Sequence, residues 1–207
     1  MKILCACEES QAVTIQFRKL GHEAYSCDVQ DCSGGFPEWH IKGDVIPLLS
    51  DPWDMIIAFP PCTYLSFAGN RHLNQPGRLE MREAARDFFM RFVNCSCPRV
   101  AIENPVGYMN SCYRKPDQII QPYFFGDPYR KRTCLWLKNL PLLEPDYMIE
   151  APDPFYIQSG GLNPGKRRYW VECVSSSDRQ KIRSKTFPGV AAAMAFQWSM
   201  ACEYLGY

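Results

Sequence analysis

Residues 53–62 read Trp-Asp-Met-Ile-Ile-Ala-Phe-Pro-Pro-Cys. The apolar run over 53–59 has the length of a buried strand. It stops at two prolines, which cannot continue a sheet because proline has no backbone N–H to donate. Because the prolines also restrict the backbone, they present the thiol of Cys62 rigidly at the end of the strand. The stretch therefore predicts a buried strand with a reactive residue at its carboxyl end.

Three other short apolar runs end at polar residues in the same way. They cover residues 2–7, 23–27 and 100–102, and they are followed by Glu8-Glu9-Ser10, by Asp28 and by Glu103-Asn104-Pro105. A further strand is predicted over 133–137, and a short third element before Asp44. Helices are predicted over about 11–20, which Gly21 would end, over 78–93, where apolar residues have helical spacing, and from Pro188 to about 204, since proline suits a first turn. Strands that alternate with helices predict an α/β fold with a doubly wound, mostly parallel sheet, in which ligands bind beyond the carboxyl ends of the strands.

Length and charge limit the organisation of the chain. Its 207 residues accommodate one α/β domain with a sizeable core. We expect a catalytic α/β core over 1–137, a small recognition and basic segment over 138–185, and a C-terminal helix over 186–207 that returns to the core. The net charge of +1 excludes a grossly basic nucleic-acid binder, but it leaves room for a local basic face.

The cysteines and the apolar runs indicate the compartment. The chain has eleven cysteines, an odd number whose spacing resembles no small disulfide framework. No signal-peptide core and no run of membrane-spanning length is visible, so we expect a cytoplasmic protein with reduced thiols and no membrane partner. Cys27, Cys32 and His40 lie close in sequence but lack paired Cys-x-x-Cys spacing, which favours buried thiols over a bound metal.

The loop after the first predicted strand bears on the cofactor. It reads Cys-Glu-Glu-Ser-Gln-Ala over 7–12, with Ser10 or Glu9 as the predicted cap of the next helix. Without a Gly-x-Gly-x-x-Gly pattern and with two glutamates, it is a poor cradle for pyrophosphate. It suits a nucleoside cofactor without phosphates, such as S-adenosylmethionine. Asp28 is placed for ribose hydroxyls and Asp44 for an adenine amino group, although capping or turning the chain explains both aspartates equally well.

Cys62 and Glu103 suit one reaction in particular. Carbon 5 of cytosine is a weak nucleophile, and addition of a thiolate to carbon 6 activates it by forming an enamine. A carboxylic acid bonded to ring nitrogen 3 and the amino group stabilises the charge that develops during the addition. The two residues follow two predicted neighbouring strands, so the sequence predicts a cytosine site between them.

Two motifs carry a resemblance to a known family. Phe59-Pro60-Pro61-Cys62 resembles the Pro-Cys nucleophile motif of the DNA cytosine-5 methyltransferases, and Ile102-Glu103-Asn104-Pro105 resembles their Glu-Asn motif, about forty residues further on. The wider pattern is similar to a compact branch of this family that phages and prophages often encode. The segments that carry the wider pattern are 7–11, 21–28, 60–65, 113–122, 133–137 and 185–191.

The resemblance implies a fold, an activity and a set of site residues. It implies a Rossmann-like fold of the S-adenosylmethionine-dependent methyltransferases, acting on cytosine in DNA in the cytoplasm of a bacterium or a phage-infected cell, in DNA protection or restriction–modification. The implied catalytic residues are Cys62, Glu103 and Arg132. The residues expected to hold S-adenosylmethionine are Glu8, Glu9, Ser10, Asp28, Asp44 and Pro60, with the helix near Pro188. Those expected to contact the substrate are Pro61, Tyr64, Asn104, Arg130 and Lys131.

The chain departs from the family pattern at three places. It lacks the Phe-x-Gly-x-Gly turn of the first motif. The Gln-x-Arg-x-Arg motif falls on residues 126–133, where Tyr129 and Thr133 replace the Gln and the second Arg, so that Arg130 or Arg132 is expected to hold the target base. Only about 45 residues stand where the family carries a large recognition domain. Sequence recognition is therefore expected to be minimal, relaxed or supplied by a separate chain.

Basic residues are candidates for DNA contact. Arg130, Lys131 and Arg132 form one cluster, and Arg71 and His72 follow Cys62 closely. The second cluster spans residues 166–185, with Tyr169 and Trp170 interleaved as stacking candidates. Its basic members are Lys166, Arg167, Arg168, Arg179, Lys181, Arg183 and Lys185. Phosphate contact is favoured over a solvated basic face.

Two alternatives to a DNA methyltransferase stay open. One keeps the covalent chemistry of Cys62 but adds a different group, as in hydroxylation, or acts on a free cytosine nucleotide. The other is a DNA-binding module that has lost turnover, against which the retained Cys62 and Glu103 argue.

Overall fold

A seven-stranded sheet with helices on both faces forms the body of the protein. The computed structural model describes residues 1–67, 73–169 and 185–204. The strands follow the order β3-β2-β1-β4-β5-β7-β6 across the sheet. Their bounds are β1 Lys2–Ala6, β2 Glu23–Asp28, β3 His40–Lys42, β4 Met55–Ala58, β5 Val100–Pro105, β6 Gln118–Ile120 and β7 Thr133–Lys138. The helices are α1 Ala12–Lys19, α2 Arg78–Val93, α3 Met109–Cys112 and α4 Pro188–Tyr204.

The sheet is parallel over its first five strands. β1 pairs in parallel with β2 and β4, β2 with β3, and β4 with β5, whereas β7 runs antiparallel between β5 and β6. The prediction of an α/β fold with a mostly parallel sheet is thus confirmed. Chain order reverses between β1 and β4, and in open α/β sheets ligands bind in the crevice at such a switch point.

Both faces of the sheet are covered, which explains why its central strands are apolar throughout. Alternate residues of β1 belong to two separate cores. Ile3 and Cys5 pack with residues of α1 and α4, while Leu4 and Ala6 pack with residues of α2. The 17-residue helix α4 is apolar around most of its circumference and packs beside α1, closing the core on that face.

A smaller antiparallel pair lies outside the main sheet. β8 (Tyr156–Ile157) pairs with β9 (Arg167–Arg168) within the segment that follows the main sheet. The sequence predicted the three long helices and five of the seven main strands. It missed β6, β8 and β9, and it marked β3 only as a short element, because strands of two or three residues are too short to show a period.

The prediction that Ser10 or Glu9 caps α1 is confirmed in part. Gln11 occupies the N-cap position in a left-handed conformation and makes no capping bond with its side chain, while the Ser10 hydroxyl accepts a long bond from Ala12 N–H at 3.4 Å. The carboxylate of Glu8 accepts the shorter bonds of the first turn, from Val13 and Thr14 N–H.

None of the described helices is long and apolar enough to cross a membrane. No disulfide joins the ten cysteines that lie in the described ranges.

Candidate active site

The carboxyl ends of β1 and β4 lie level with Ile102 of β5. Ala6 pairs with Ala58, and Ala58 pairs with Ile102. β1 and β4 end at this level, whereas β5 continues to Pro105 alongside β7, so that Glu103 lies just beyond the last residue of β5 that pairs with β4. The structure thus brings the Pro-Cys segment and Glu103 to neighbouring strand ends, as the sequence predicted.

A side chain joins the two strand ends directly. Asn104 is buried in β5, and its Nδ2 donates a 2.8 Å hydrogen bond to the carbonyl oxygen of Pro60. The chain turns sharply after the prolines, since the N–H groups of Leu65 and Ser66 both donate to the Cys62 carbonyl, at 3.1 and 2.9 Å. Cys62 itself is exposed at this turn. The thiol is therefore presented to solvent by a turn that is fixed on both sides.

A glycine brings the loop after β5 against the same turn. Tyr108 N–H donates to the Leu65 carbonyl at 2.7 Å. A Cβ added to Gly107 would lie 2.1 Å from the Leu65 oxygen, so only glycine fits there. The segments that follow β4 and β5 are thus attached to each other at two places, the Asn104 bond and this contact. Their attachment fixes the backbone around Cys62 relative to β5.

One carboxyl oxygen of Glu103, Oε1, is buried without a hydrogen-bond partner among the described residues. Burial raises the pKa of the Glu103 carboxyl, and the positive charge of Lys131 lowers it in part. A buried oxygen without a partner is costly in a folded protein. Such an atom, on the strand next to the one that leads to the exposed Cys62, is what a ligand-binding carboxyl requires.

Glu8 has a structural task that the sequence did not predict. Its carboxylate accepts hydrogen bonds from Val13 N–H at 2.6 Å, from Thr14 N–H at 3.2 Å and from the Thr14 hydroxyl at 2.7 Å. Burial raises the pKa of the carboxyl to about 7, although these bonds lower it. The expectation that Glu8 holds a cofactor does not fit this orientation. Glu9 and Ser10 remain as candidates because they are partly exposed.

The same contacts restrict the class of cofactor. In doubly wound folds the N-terminus of the first helix binds the phosphates of a nucleotide. Here the carboxyl group of Glu8 already accepts the N–H groups at the N-terminus of α1, so a phosphate would have to displace it. The loop therefore disfavours cofactors that bind through pyrophosphate.

Two non-glycine residues give this loop its shape. Cys7 and Gln11 both have positive φ, at 60° and 57°, a region that side chains enter at a cost. The Gln11 amide compensates by donating from Nε2 to the Phe36 carbonyl at 2.8 Å and accepting from Phe36 N–H at 3.1 Å. A Cβ on Gly34 would meet the Gln11 Cβ at 2.6 Å. The missing glycine turn is thus replaced by a turn that residues 34–36 hold in place.

Asp28 and Asp44 lie near each other beyond β2 and β3. Both raise the pKa of the Cys7 and Cys27 thiols, after the larger effect of burial, and the pKa of Cys27 reaches about 11. One oxygen of Asp28 accepts from Gln30 N–H at 2.9 Å, and one of Asp44 accepts from the N–H of residue 46 at 3.0 Å. Each aspartate shapes its own loop with that oxygen, and both lie close enough to the same two thiols to act on their pKa.

The basic residues near β7 have different environments. Arg130 donates from Nε to the Pro152 carbonyl at 2.9 Å, and its guanidinium stacks on two tyrosine rings. This internal role does not fit the expected contact with substrate. Lys131 is the cation that acts on Glu103, and Arg132 is exposed. The guanidinium of Arg78 lies over the ring of Tyr64, 4.7 Å from the ring centre.

Sequence reasoning also missed the contact that seats α4. Asp127 accepts a 2.8 Å hydrogen bond from Gly189 N–H at the start of the helix. A Cβ on Gly189 would lie 1.9 Å from the Phe125 oxygen, so the glycine permits the close approach. The segment near Pro188 is therefore held by residues that precede β7. A Pro-Gly pair at the start of a helix is the only signal in the sequence for this contact.

Several predicted residues lie outside the described ranges. They are Arg71, His72, Trp170, Arg179, Lys181 and Arg183. Among the described residues no three histidine, cysteine or acidic side chains converge as metal ligands. Both ring nitrogens of His40 lie within hydrogen-bonding distance of oxygens of Ser26 and Gln30, which leaves them engaged within the protein.

Comparison with known proteins adds no relative. No model of a protein family matches the chain, and no curated protein matches it. The function must therefore be argued from the site itself.

Proposed function

We propose that the protein transfers a methyl group from S-adenosylmethionine to carbon 5 of cytosine in DNA through a covalent Cys62 adduct. One observation carries the proposal. An exposed thiol on a rigid Pro-Pro turn is attached, through the 2.8 Å bond between Asn104 and Pro60, to the strand that bears Glu103 and its unpartnered buried oxygen. The pair matches the nucleophile and the acid that cytosine chemistry at carbon 5 requires.

Each residue has a defined role in the proposed reaction. The Cys62 thiolate, which has lost its proton to solvent, bonds to carbon 6, and the electron pair of the ring double bond moves toward nitrogen 3, where Glu103 donates its proton. S-adenosylmethionine supplies an electrophilic methyl group to the activated carbon 5. Loss of the carbon-5 proton to solvent then accompanies cleavage of the bond between Cys62 and carbon 6. Glu103 regains its proton from nitrogen 3, and both residues return to their starting states.

The environment of Glu103 suits that role. Since burial raises the pKa of its carboxyl, the protonated form persists to higher pH than for an exposed glutamate. A protonated carboxyl donates to nitrogen 3, and the second oxygen accepts from the amino group of cytosine. Lys131 limits the rise in pKa, which keeps the proton available for exchange.

The cofactor side of the site fits S-adenosylmethionine in two respects. The N-terminus of α1 is closed to phosphate by Glu8, and this cofactor has no phosphate. Asp28 and Asp44, which act together on Cys7, would accept from the ribose hydroxyls and from the adenine amino group. Glu9 and Ser10 are the loop residues open to its amino-acid end. The mostly parallel sheet is compatible with the methyltransferase fold that the sequence resembles.

A second candidate keeps the covalent chemistry and changes the group that carbon 5 receives, or takes a free cytosine nucleotide as substrate. The observation that favours it is the first loop. Cys7 and Gln11 adopt positive φ in a loop without glycine, whereas the resembled family has a Phe-x-Gly-x-Gly turn in its first motif. A loop built in this way shapes the cofactor pocket differently from the family's.

Mass analysis of nucleosides tests the proposal. We expect 5-methylcytosine in DNA from cells that express the wild type, and none with Cys62→Ala. Cys112→Ala is the matched control, since Cys112 is also exposed but lies on α3. A different adduct at carbon 5 would move the assignment to the second candidate. Methylation that survives in Cys62→Ala would refute the covalent mechanism.

A further inference from the structure

The hairpin formed by β8 and β9 stands apart from the core as a defined unit. Gln158 N–H donates to the Lys166 carbonyl at 3.0 Å, and Gly165 N–H donates to the Gln158 carbonyl at 2.8 Å. The turn between them uses left-handed conformations at Gly161 and Gly165, with φ of +81° and +78°. These bonds fix the hairpin although it has no packed core of its own.

Its tip presents a large apolar side chain to solvent. Leu162 is 99% exposed, and Phe155 and Ile157 on the first arm are more than half exposed. Apolar groups clustered in this way on a small projection indicate a contact surface, because water is an unfavourable environment for them.

The charge of the hairpin favours one kind of partner. Residues 152–169 contain Lys166, Arg167 and Arg168 against one acidic residue, Asp153 at the base, in a chain whose net charge is only +1. The Arg168 guanidinium is held by the Gln158 side-chain oxygen at 2.9 and 3.2 Å, while Lys166 and Arg167 are exposed. A surface with a net positive charge complements the phosphates of a nucleic acid.

The base of the hairpin is held by the segment that leads into β7, the strand whose Leu135 and Thr133 pair with Glu103 and Pro105 of β5. Arg130 bonds the Pro152 carbonyl before β8, and its guanidinium lies 5.2 Å from the ring centre of Tyr169 after β9. Arg130 thus contacts both ends of the hairpin. It is next in sequence to Lys131, whose positive charge acts on Glu103.

We propose that this hairpin is a nucleic-acid wedge, in which Lys166 and Arg167 contact backbone phosphates and Leu162 inserts between bases next to the target cytosine. The inference rests on the proposed function, in that a base must leave the duplex to reach Cys62. Apolar side chains that enter a base step unstack it and kink the duplex. A single leucine on a rigid turn performs this task without a large recognition domain.

Two measurements on the purified protein test the wedge. The first is binding to a short duplex that carries cytosine in varied contexts, followed by anisotropy as the salt concentration changes. The second is the fluorescence of 2-aminopurine placed beside a cytosine, which rises when the base is unstacked. The variants are Leu162→Ala and the pair Lys166→Gln with Arg167→Gln. Leu79→Ala and Lys19→Gln are the matched controls, since both residues are exposed on helices of the core.

We expect Leu162→Ala to abolish the fluorescence rise and to weaken binding about tenfold, with little change in salt dependence. The double variant should weaken binding and reduce the slope of log affinity against log salt by about 2. The controls should behave as the wild type. Equal binding and fluorescence in Leu162→Ala and wild type would overturn the inference, as would a variant that loses only self-association, which would make the hairpin a protein contact.

Cytosine modification, measured on the same proteins, separates this inference from the proposed function. Hairpin-dependent binding and unstacking without any modified base would leave the wedge standing and remove the methyltransferase. Modification that proceeds equally in wild type and Leu162→Ala would remove the wedge and leave the chemistry in place.

Discussion

Asn104 holds the two halves of the candidate active site together. Its Nδ2 bond to the Pro60 carbonyl crosses from β5 to the segment after β4, and the residue is only 1% exposed. Side-chain amides in such positions act on geometry rather than on the reacting atoms. Asn104 is therefore a positioning residue for Cys62, in addition to being a neighbour of the proposed acid Glu103.

Replacement of Asn104 by Ala should reduce kcat by one to two orders of magnitude and leave KM for DNA nearly unchanged. The reason is that the thiol of Cys62 loses its fixed placement when the bond to the Pro60 carbonyl is removed. The Pro60 carbonyl is then left without this partner, which lowers the free energy of unfolding by about 1–3 kcal/mol. Steady-state kinetics separates the two constants. Asn139→Gly is the control, because Asn139 also donates to a proline carbonyl, at 2.8 Å, and has φ of 50°. Equal losses of kcat in both variants would argue against positioning.

At the scale of elements, α4 is held by a contact of Gly189 with residues 125–127, which the sequence of the helix does not predict. The helix begins at Pro188, a residue suited to the first turn, and its second residue lies against the Phe125 carbonyl. Asp127 accepts the hydrogen bond from Gly189 N–H. The helix is thus both capped and seated by the segment between β6 and β7.

Gly189→Ala should destabilise the protein by about 1–3 kcal/mol, because the added methyl would lie 1.9 Å from the Phe125 oxygen and force α4 outward. Urea denaturation measures the loss. Gly160→Ala provides the comparison, since a Cβ at Gly160 meets nothing within 4 Å and should change stability little. A Gly189→Ala midpoint equal to that of the wild type would show that α4 tolerates the shift.

The sequence predicted long elements and strand ends better than it predicted local contacts. The length of the apolar run before Pro60 was sufficient to predict β4, and the helical spacing over 78–93 was sufficient to predict α2, because burial against the rest of the fold requires these patterns. Glu8 shows why local side-chain contacts could not be predicted from the sequence. A glutamate after a strand suits a ligand and an internal helix cap equally well, and only the position of Thr14 decides between them.

At the scale of the whole molecule, two buried groups titrate in opposite senses. Glu8 lies under the start of α1, and His22 links the chain's N-terminus to α4 through Ser199, with Nε2 2.7 Å from the Ser199 hydroxyl oxygen. Burial raises the pKa of Glu8 to about 7. Burial and the N-terminal charge lower the pKa of His22, which Glu203 raises in part. Both groups favour their neutral forms in the folded state.

These shifts predict a pH profile of stability in which two slopes oppose each other. Between the ordinary pKa of 4.5 and about 7, folded Glu8 binds more protons than unfolded Glu8, so its contribution falls as pH rises, by on the order of 3 kcal/mol. Below pH 6.5 unfolded His22 binds more protons than folded His22, so its contribution falls as pH drops.

Paired variants separate the two slopes. Relative to wild type, Glu8→Gln should gain stability as pH rises toward 7, and His22→Gln should gain it as pH drops below 6.5. Urea midpoints across this range measure both differences. A Glu8→Gln curve parallel to that of the wild type would show that Glu8 titrates normally in the folded protein.

The close approach of Gly107 to the Leu65 carbonyl also determines when the site is ordered. This contact and the Asn104 bond form when the chain folds. The two loops therefore lose their conformational entropy on folding and not when a ligand binds. The backbone on both sides of Cys62 and Glu103 is therefore held in place before any ligand binds. Under the proposed function, binding then has to order only the DNA.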